Sequence, residues 1–134
     1  MPPKLQALVL ADHVYIDAQS GKKIIAGTFN TLRPKEIPSV SGQAAQVFVS
    51  VTNIHGALEL VLRYVALEDN RVLCESQPIK VVCDNPLSTV DLVVPLPPLP
   101  MPHEGVFAFE VYTGSHLLGS LRVTVAKLER EDQP

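Results

Sequence analysis

The sequence predicts an all-β domain, a single antiparallel β-sandwich of about eight strands. Three observations carry this. Eight stretches carry strand character, most of them grouping apolar residues on one face with a period of two. Turn residues such as Asp, Asn, Gly and Pro separate them at regular intervals. No stretch has a sustained helical period.

The strands are expected in the following order. Leu5–Ala11 is the first, and Lys23–Arg33, rich in Ile, Thr and Phe, is the second. Ala45–Asn53 puts Val47, Val49 and Val51 on one face. Ala57–Leu67 puts Leu58, Leu60, Leu62 and Tyr64 on one face. Its Ala and Leu content also suits a helix, but Glu59 and Arg63 alternate with the leucines, which favours a strand. Arg71–Cys83 reads as one strand bent at Pro78. Proline cannot donate to a ladder, so this strand belongs at an edge. Thr89–Leu96 groups Val90, Leu92 and Val94. Gly105–Tyr112 groups Phe107, Phe109 and Val111, and Leu117–Lys127 turns Leu121, Val123 and Val125 inward. A glycine, Gly114, is available for positive φ in the turn before the last strand. Such a strand order suits an immunoglobulin-like or C2-like sandwich rather than βαβ units. The domain is expected to span residues 1–128, with a polar tail at 129–134.

Composition narrows the function classes. A chain of 134 residues makes one ordinary domain, large enough to need neither disulfide nor metal. With 46% hydrophobic and 19% charged residues it is not a disordered chain. Its net charge is −3 and its eleven basic residues are scattered, which argues against phosphate-backbone binding. The run Leu5–Ala11 is too short for a signal peptide core and no run could span a membrane. Neither nucleic acid nor membrane is therefore an expected partner, and the cytoplasm is the expected compartment. Cys74 and Cys83, nine residues apart on one extended strand, would lie about 30 Å apart. That is too far for a disulfide, so both are expected as free thiols. Cys83 shares the parity of Ile79 and Val81 and is expected as a small core residue.

No catalytic signature is present, and no enzyme activity or cofactor is expected. His103-Glu104 is followed by Gly-Val-Phe and lacks the helix and second histidine of a zinc protease. There is no Gly-x-Ser-x-Gly elbow, and Gly21-Lys-Lys lacks the glycine loop that cradles a phosphate. The segment Pro95–Pro102 has five prolines in eight residues. It reads as a stiff polyproline II connector, since no basic residue flanks it as a docking peptide would have.

Two candidate sites remain. If strand direction alternates regularly, the odd-numbered connections share one end of the sandwich. That end would gather Asp12, His13, Asp17, Asn53, His55, Asp84, Asn85 and His116. Imidazoles and carboxylates of this kind could ligate a metal, so Asp12, His13, Asp17, His55, Asp84 and His116 are metal-ligand candidates. They lack a ligand spacing such as His-x-x-x-His, and turn residues of any sandwich look similar. The second candidate is a surface. Phe48, Val61, Val65 and Val93 fall on faces opposite the core positions, where antiparallel strands are usually polar. Such residues are expected either under loops or in a contact with another protein or another copy.

Two sets of segments bear a family likeness. Asp12-His-Val-Tyr-Ile-Asp17 leads to Ser20-Gly-Lys22 and then to Ile-Ile-Ala-Gly27-Thr-Phe29. Later come Pro102-His-Glu-Gly105-Val-Phe, Gly114, Leu118-Gly119 and Leu121-Arg-Val-Thr-Val125. Together they resemble a family of small bacterial β-sandwich proteins of unknown function. The resemblance implies the same fold and brings no activity or site residues with it. The sequence thus leaves two readings. One is a non-enzymatic protein-interaction or self-associating module. The other is a ligand- or metal-binding module using the Asp/His loops.

Overall fold

The computed structural model describes residues 2–42 and 44–129. The tail expected at 129–134 lies, beyond Glu129, outside the described residues. All regular structure among the described residues is β. The strands are β1 (Lys4–Ile16), β2 (Lys23–Thr28), β3 (Thr31–Leu32), β4 (Ser39–Val40), β5 (Gln46–Thr52) and β6 (Gly56–Ala66). They continue with β7 (Arg71–Glu75), β8 (Ile79–Cys83), β9 (Val90–Pro95), β10 (Pro100–Met101), β11 (Gly105–Thr113) and β12 (His116–Val125).

A four-stranded sheet has the order β2-β1-β5-β9. The larger sheet runs β3-β12-β11-β6-β7, with β8 also on β6, and β10 pairs β4 separately. Every pairing is antiparallel except the short parallel one between β12 and β3.

Both large sheets contribute to one core, and alternation explains which residues do so. In the four-stranded sheet Leu10, Val47 and Val94 form one inward row, and Leu8, Val49 and Leu92 the next. Facing them, Leu121, Phe109, Tyr64 and Cys74 form a row across β12, β11, β6 and β7. The aromatic centre is compact. The Tyr64 ring lies 5.5 Å from that of Phe107, nearly parallel, and 5.1 Å from that of Phe109, separations at which ring pairs attract beyond their buried area. At Gly119 on β12 the Leu5 side chain fills the space that a Cβ would occupy, so the sheets approach closely there. The hairpin turn before β12 uses Gly114 at φ +58°, as expected.

The number of strands differs from eight for three physical reasons. Lys23–Arg33 is not one strand. The chain leaves the edge of the first sheet after Thr28 and pairs with β12 of the other sheet from Thr31. Arg71–Cys83 is interrupted at Ser76-Gln77-Pro78, yet both pieces pair along β6. The Ser76 N–H donates to the Leu62 carbonyl across the gap, so the segment keeps one direction, as its expected bend at Pro78 required. Finally, the proline connector contributes β10, and its pairing partner β4 adds one more. Leu99 and Met101 are buried, and Ser41 N–H and Oγ bond the Leu99 backbone at 2.9 and 2.8 Å. The segment is thereby tied to residues 39–41.

Candidate functional site

The strand pairings divide the connections between two ends. β5 runs from its pairing with Ala11 toward Lys4, so Asn53 and His55 lie at the end where β1 begins. Asp84 and Asn85 lie at that end too, because Asn53 N–H donates to the Pro86 carbonyl. His116 joins them, since β11 and β12 run antiparallel from the Val125 end to the His116 turn. Asp17 is at the opposite end, in the turn between β1 and β2. Asp12 and His13 lie on β1 on the way to it.

The expected gathering of Asp12, His13 and Asp17 with His55, Asp84 and His116 is therefore overturned. The reversal hidden in Lys23–Arg33 is the cause. It adds one change of direction that the regular alternation did not include. Among the described residues no group of three or more His, Cys, Asp or Glu is placed to hold a metal. Asp17 has a structural role instead. Its carboxylate accepts from the Ser20 backbone and hydroxyl, closing the turn, and that hydroxyl bond keeps its pKa below the ordinary value. His103 and Glu104 serve the entry to β11, where Glu104 accepts from the Lys127 backbone at 2.7 Å.

The two thiols are separate. Cys74 pairs with Tyr64 and Cys83 with Gly56, eight residues apart along β6. Burial raises the Cys74 pKa. Cys83 is only half-buried, and its thiol donates to the Asn85 carbonyl at 3.2 Å. Cys74 borders a cavity of about 70 Å³ between β7 and the start of the proline connector.

The four surface candidates separate into two faces. Val61 and Val65 lie on the outer face of the larger sheet. Val65 is only 3% exposed and sits opposite Ala108, itself buried, so Val65 offers no contact surface. Val61 is half-buried opposite Tyr112, whose ring lies under the Arg63 guanidinium at 4.4 Å. Arg63 also donates to Glu75 at 2.7 Å and Tyr112 to Glu110 at 3.3 Å. The middle of this face is thus laced with polar side chains, while Val72, Val82, Val106 and Leu117 are exposed around it.

Phe48 and Val93 lie on the outer face of the four-stranded sheet, and here the surroundings are apolar. Val9, Phe48 and Val93 form one outward row across β1, β5 and β9, each half-buried. The next row outward along β1 holds Thr28, Ala11 and Gln46. Then come His13 beside Ala26, and Tyr15 beside Ile24. The His13 and Tyr15 rings lie 4.2 Å apart. The outward side chains of the four strands include two full charges, both toward the end where β1 begins: Lys4 opposite Thr52, and Asp91, to which the Ser50 hydroxyl donates at 2.8 Å.

Tyr15, Ile16 and Ile24 were not among the expected surface residues. They are 53%, 63% and 51% exposed. β5 stops pairing with β1 at Ala11, so residues 12–16 pair with β2 alone. The β1–β2 ribbon thus extends past the sheet. It is anchored on its inner face by buried Val14, whose N–H donates to Gln46 Oε1 at 2.7 Å. The alternation of Val14 and Ile16 beyond Asp12 was the signal for this extension.

A sequence profile describing a family of unknown function, DUF6941, matches residues 6–126, from the start of β1 to the end of β12. The chain belongs to this family. The match covers both the β1–β2 ribbon and the outer Val9–Phe48–Val93 row, so these are parts of the DUF6941 domain. Among solved structures, the DUF6941 chain is similar to an immunoglobulin-like protein from Pseudomonas aeruginosa. The identity is 15%, the TM-score is 0.44, and the match covers 94% of this chain and 98% of that one. No curated protein matches the sequence.

Proposed function

We propose that this chain is a non-enzymatic interaction module, built as one sandwich, whose working surface is the outer face of the four-stranded sheet. The observation that carries the reading is the two apolar groups on this outer face, Tyr15 with Ile24 and the Val9–Phe48–Val93 row, set apart by the uncharged residues His13, Ala26, Ala11, Thr28 and Gln46. A solvated antiparallel face is ordinarily polar, and apolar patches on a folded domain mark contact sites. The outer face of the other sheet differs in that charged and polar side chains, Arg63 with Glu75 and Tyr112 with Glu110, pair across its middle between the exposed Val72, Val82, Val106 and Leu117. The histidines and acids named as metal candidates are divided between both ends, which favours the interaction reading over the metal-binding one.

A photo-reactive phenylalanine analogue tests the location of the surface. Placed at Phe48 in the full chain inside cells, it is expected to form covalent adducts with polypeptide on illumination. Placed at Val106, exposed on the other sheet, it is expected to form none. Adducts at position 106 with none at 48 would overturn the proposal, whatever polypeptide they contain.

A further inference from the structure

The partner of this surface is an extended polypeptide segment: we infer that β9 accepts an added antiparallel strand, which continues the outer row past Val93 and sets an apolar side chain into the cavity beside Cys74. The inference rests on the contact-face reading above and specifies its partner.

β9 is the end of its sheet. It pairs with β5 alone, without a register shift. Just beyond it, Leu96 N–H donates to the Ala45 carbonyl at 3.0 Å, the residue opposite it in the same register. In an antiparallel ladder the residues that bond a given neighbour alternate. Val94, Leu92 and Val90 therefore turn their backbone groups to β5, and Val93 and Asp91 turn theirs to the free side. No backbone group among the described residues pairs with them there. Edge strands are ordinarily blunted by lysine, proline, bulges or short length, and the other edges show these devices. β2 carries Lys23 and has Gly27 at φ +72°, β7 and β8 are parted at Pro78, and β3 has two residues. β9 runs regularly over six residues, with a proline only at its end.

Both sides of this edge are apolar. On the outer face the Val9–Phe48–Val93 row stops at β9, so a strand added there sets its next residue beside Val93. On the inner face Val94 and Leu96 border the cavity of about 70 Å³, whose other wall holds Leu62, Tyr64 and Cys74. An apolar cavity of about 150 Å³ accepts a benzene ring, and one of half that size suits a branched aliphatic side chain. Neighbouring residues of a strand point to opposite faces. One added strand therefore serves both sides: its residue opposite Val93 extends the row, and its residue opposite Val94 enters the cavity.

Charge fixes a further position. Asp91 is exposed, two residues from Val93 and on the same face. Residues directly opposite on neighbouring strands interact, and opposite charges there are favourable. The segment that fits β9 is thus an extended apolar run with a lysine or arginine opposite Asp91. Main-chain bonds to the free edge supply affinity, and the cavity, the row and Asp91 supply selectivity.

Amide hydrogen exchange of the purified full chain, followed by nuclear magnetic resonance, tests this with the blocked hexapeptide Thr-Leu-Val-Val-Lys-Val. Lying antiparallel with its threonine opposite Pro95, the peptide sets leucine opposite Val94, valine opposite Val93 and lysine opposite Asp91. At millimolar peptide, exchange of the Asp91 and Val93 amides is expected to slow at least tenfold. Val93→Pro removes a donor that β5 does not use, a place where an edge strand tolerates proline, and is expected to weaken the peptide at least tenfold. Asp91→Lys is expected to reverse the preference toward the same peptide with glutamate in place of its lysine. Asp91 is exposed, so this variant reads the pairing even if Val93→Pro does not fold. Unchanged exchange at both amides overturns the inference. So does slowing that occurs without peptide and grows with protein concentration, since a second copy then takes the edge. Unchanged amides together with adducts from position 48 in cells remove the added strand and leave the contact face standing. Protected amides with no adducts from position 48 support the added strand and overturn the contact-face reading.

Discussion

Phe107→Ala is expected to destabilise the fold by about 3–5 kcal/mol, the usual cost of removing a buried ring and leaving a cavity. Phe107 is fully buried. It stacks on Tyr64 at 5.5 Å and on His103 at 5.1 Å, and it faces Val123 and Ala66 across the strand ladders. Its surroundings are β-strands fixed on both sides, so they cannot close the cavity by moving one side chain. Domains of this kind have only about 5–15 kcal/mol in all. The substitution therefore removes a large share of the total, and the melting temperature should fall by roughly 10–20 °C. Val106→Ala, the neighbouring residue on the exposed face, should cost less than about 1 kcal/mol. Urea unfolding followed by dichroism measures both. Similar small costs at the two positions would contradict the assignment of inner and outer faces on β11.

The second large effect concerns pH. Tyr64 is 1% exposed, and burial raises the pKa of its phenol well above the ordinary 10.0. Its hydroxyl donates to the Pro100 carbonyl at 3.2 Å. The folded state therefore holds this proton more tightly than the unfolded chain does. Below pH 10 both states are protonated and the contribution is fully present. As pH rises above 10 the unfolded chain ionises first, and stability falls by up to about 1.4 kcal/mol per pH unit. Tyr64→Phe removes that dependence. At neutral pH the variant should be weaker by about 1 kcal/mol, the net value of the lost hydrogen bond. Between pH 10 and 11.5 the stability of the wild type should fall more steeply than that of the variant, so the two curves converge. Parallel curves would show that Tyr64 does not bring its proton into the core.

Both residues were recognisable from sequence, because strands of Val, Leu and Phe with a period of two reveal their inner face directly. Phe107 and Tyr64 are core positions for that reason. The same parity picked out Phe48 and Val93 as outward apolar residues, and the structure places them on one row. Parity could not distinguish them from Val65, which also points outward but is buried opposite Ala108. That distinction depends on neighbours from other strands. The ribbon tip is hidden in the sequence because aspartate is a poor strand residue, and Asp12 interrupts the strand expected at Leu5–Ala11. In the structure the residue across from Asp12 is Gly27. A Cβ there would come within 2.9 Å of the Asp12 Cγ, so the glycine makes room for the acid within the ladder. The failure of the Asp/His cluster has a similar origin. Which end a loop occupies depends on every reversal before it, and one unrecognised reversal, at Phe29-Asn30, moved the β1–β2 turn to the other end.

The central claim is that the outer face of the four-stranded sheet, rather than either loop end, is the working surface. A photo-reactive phenylalanine analogue placed singly at Val9, Tyr15, Ile24, Phe48 and Val93, and at Val106 and Arg122 on the other sheet, tests it residue by residue in the full chain inside cells. The account predicts covalent adducts with polypeptide from the first five positions and none from the last two. Adducts confined to positions 55, 84 and 116 in the loops, or to the Val106 face, would contradict it.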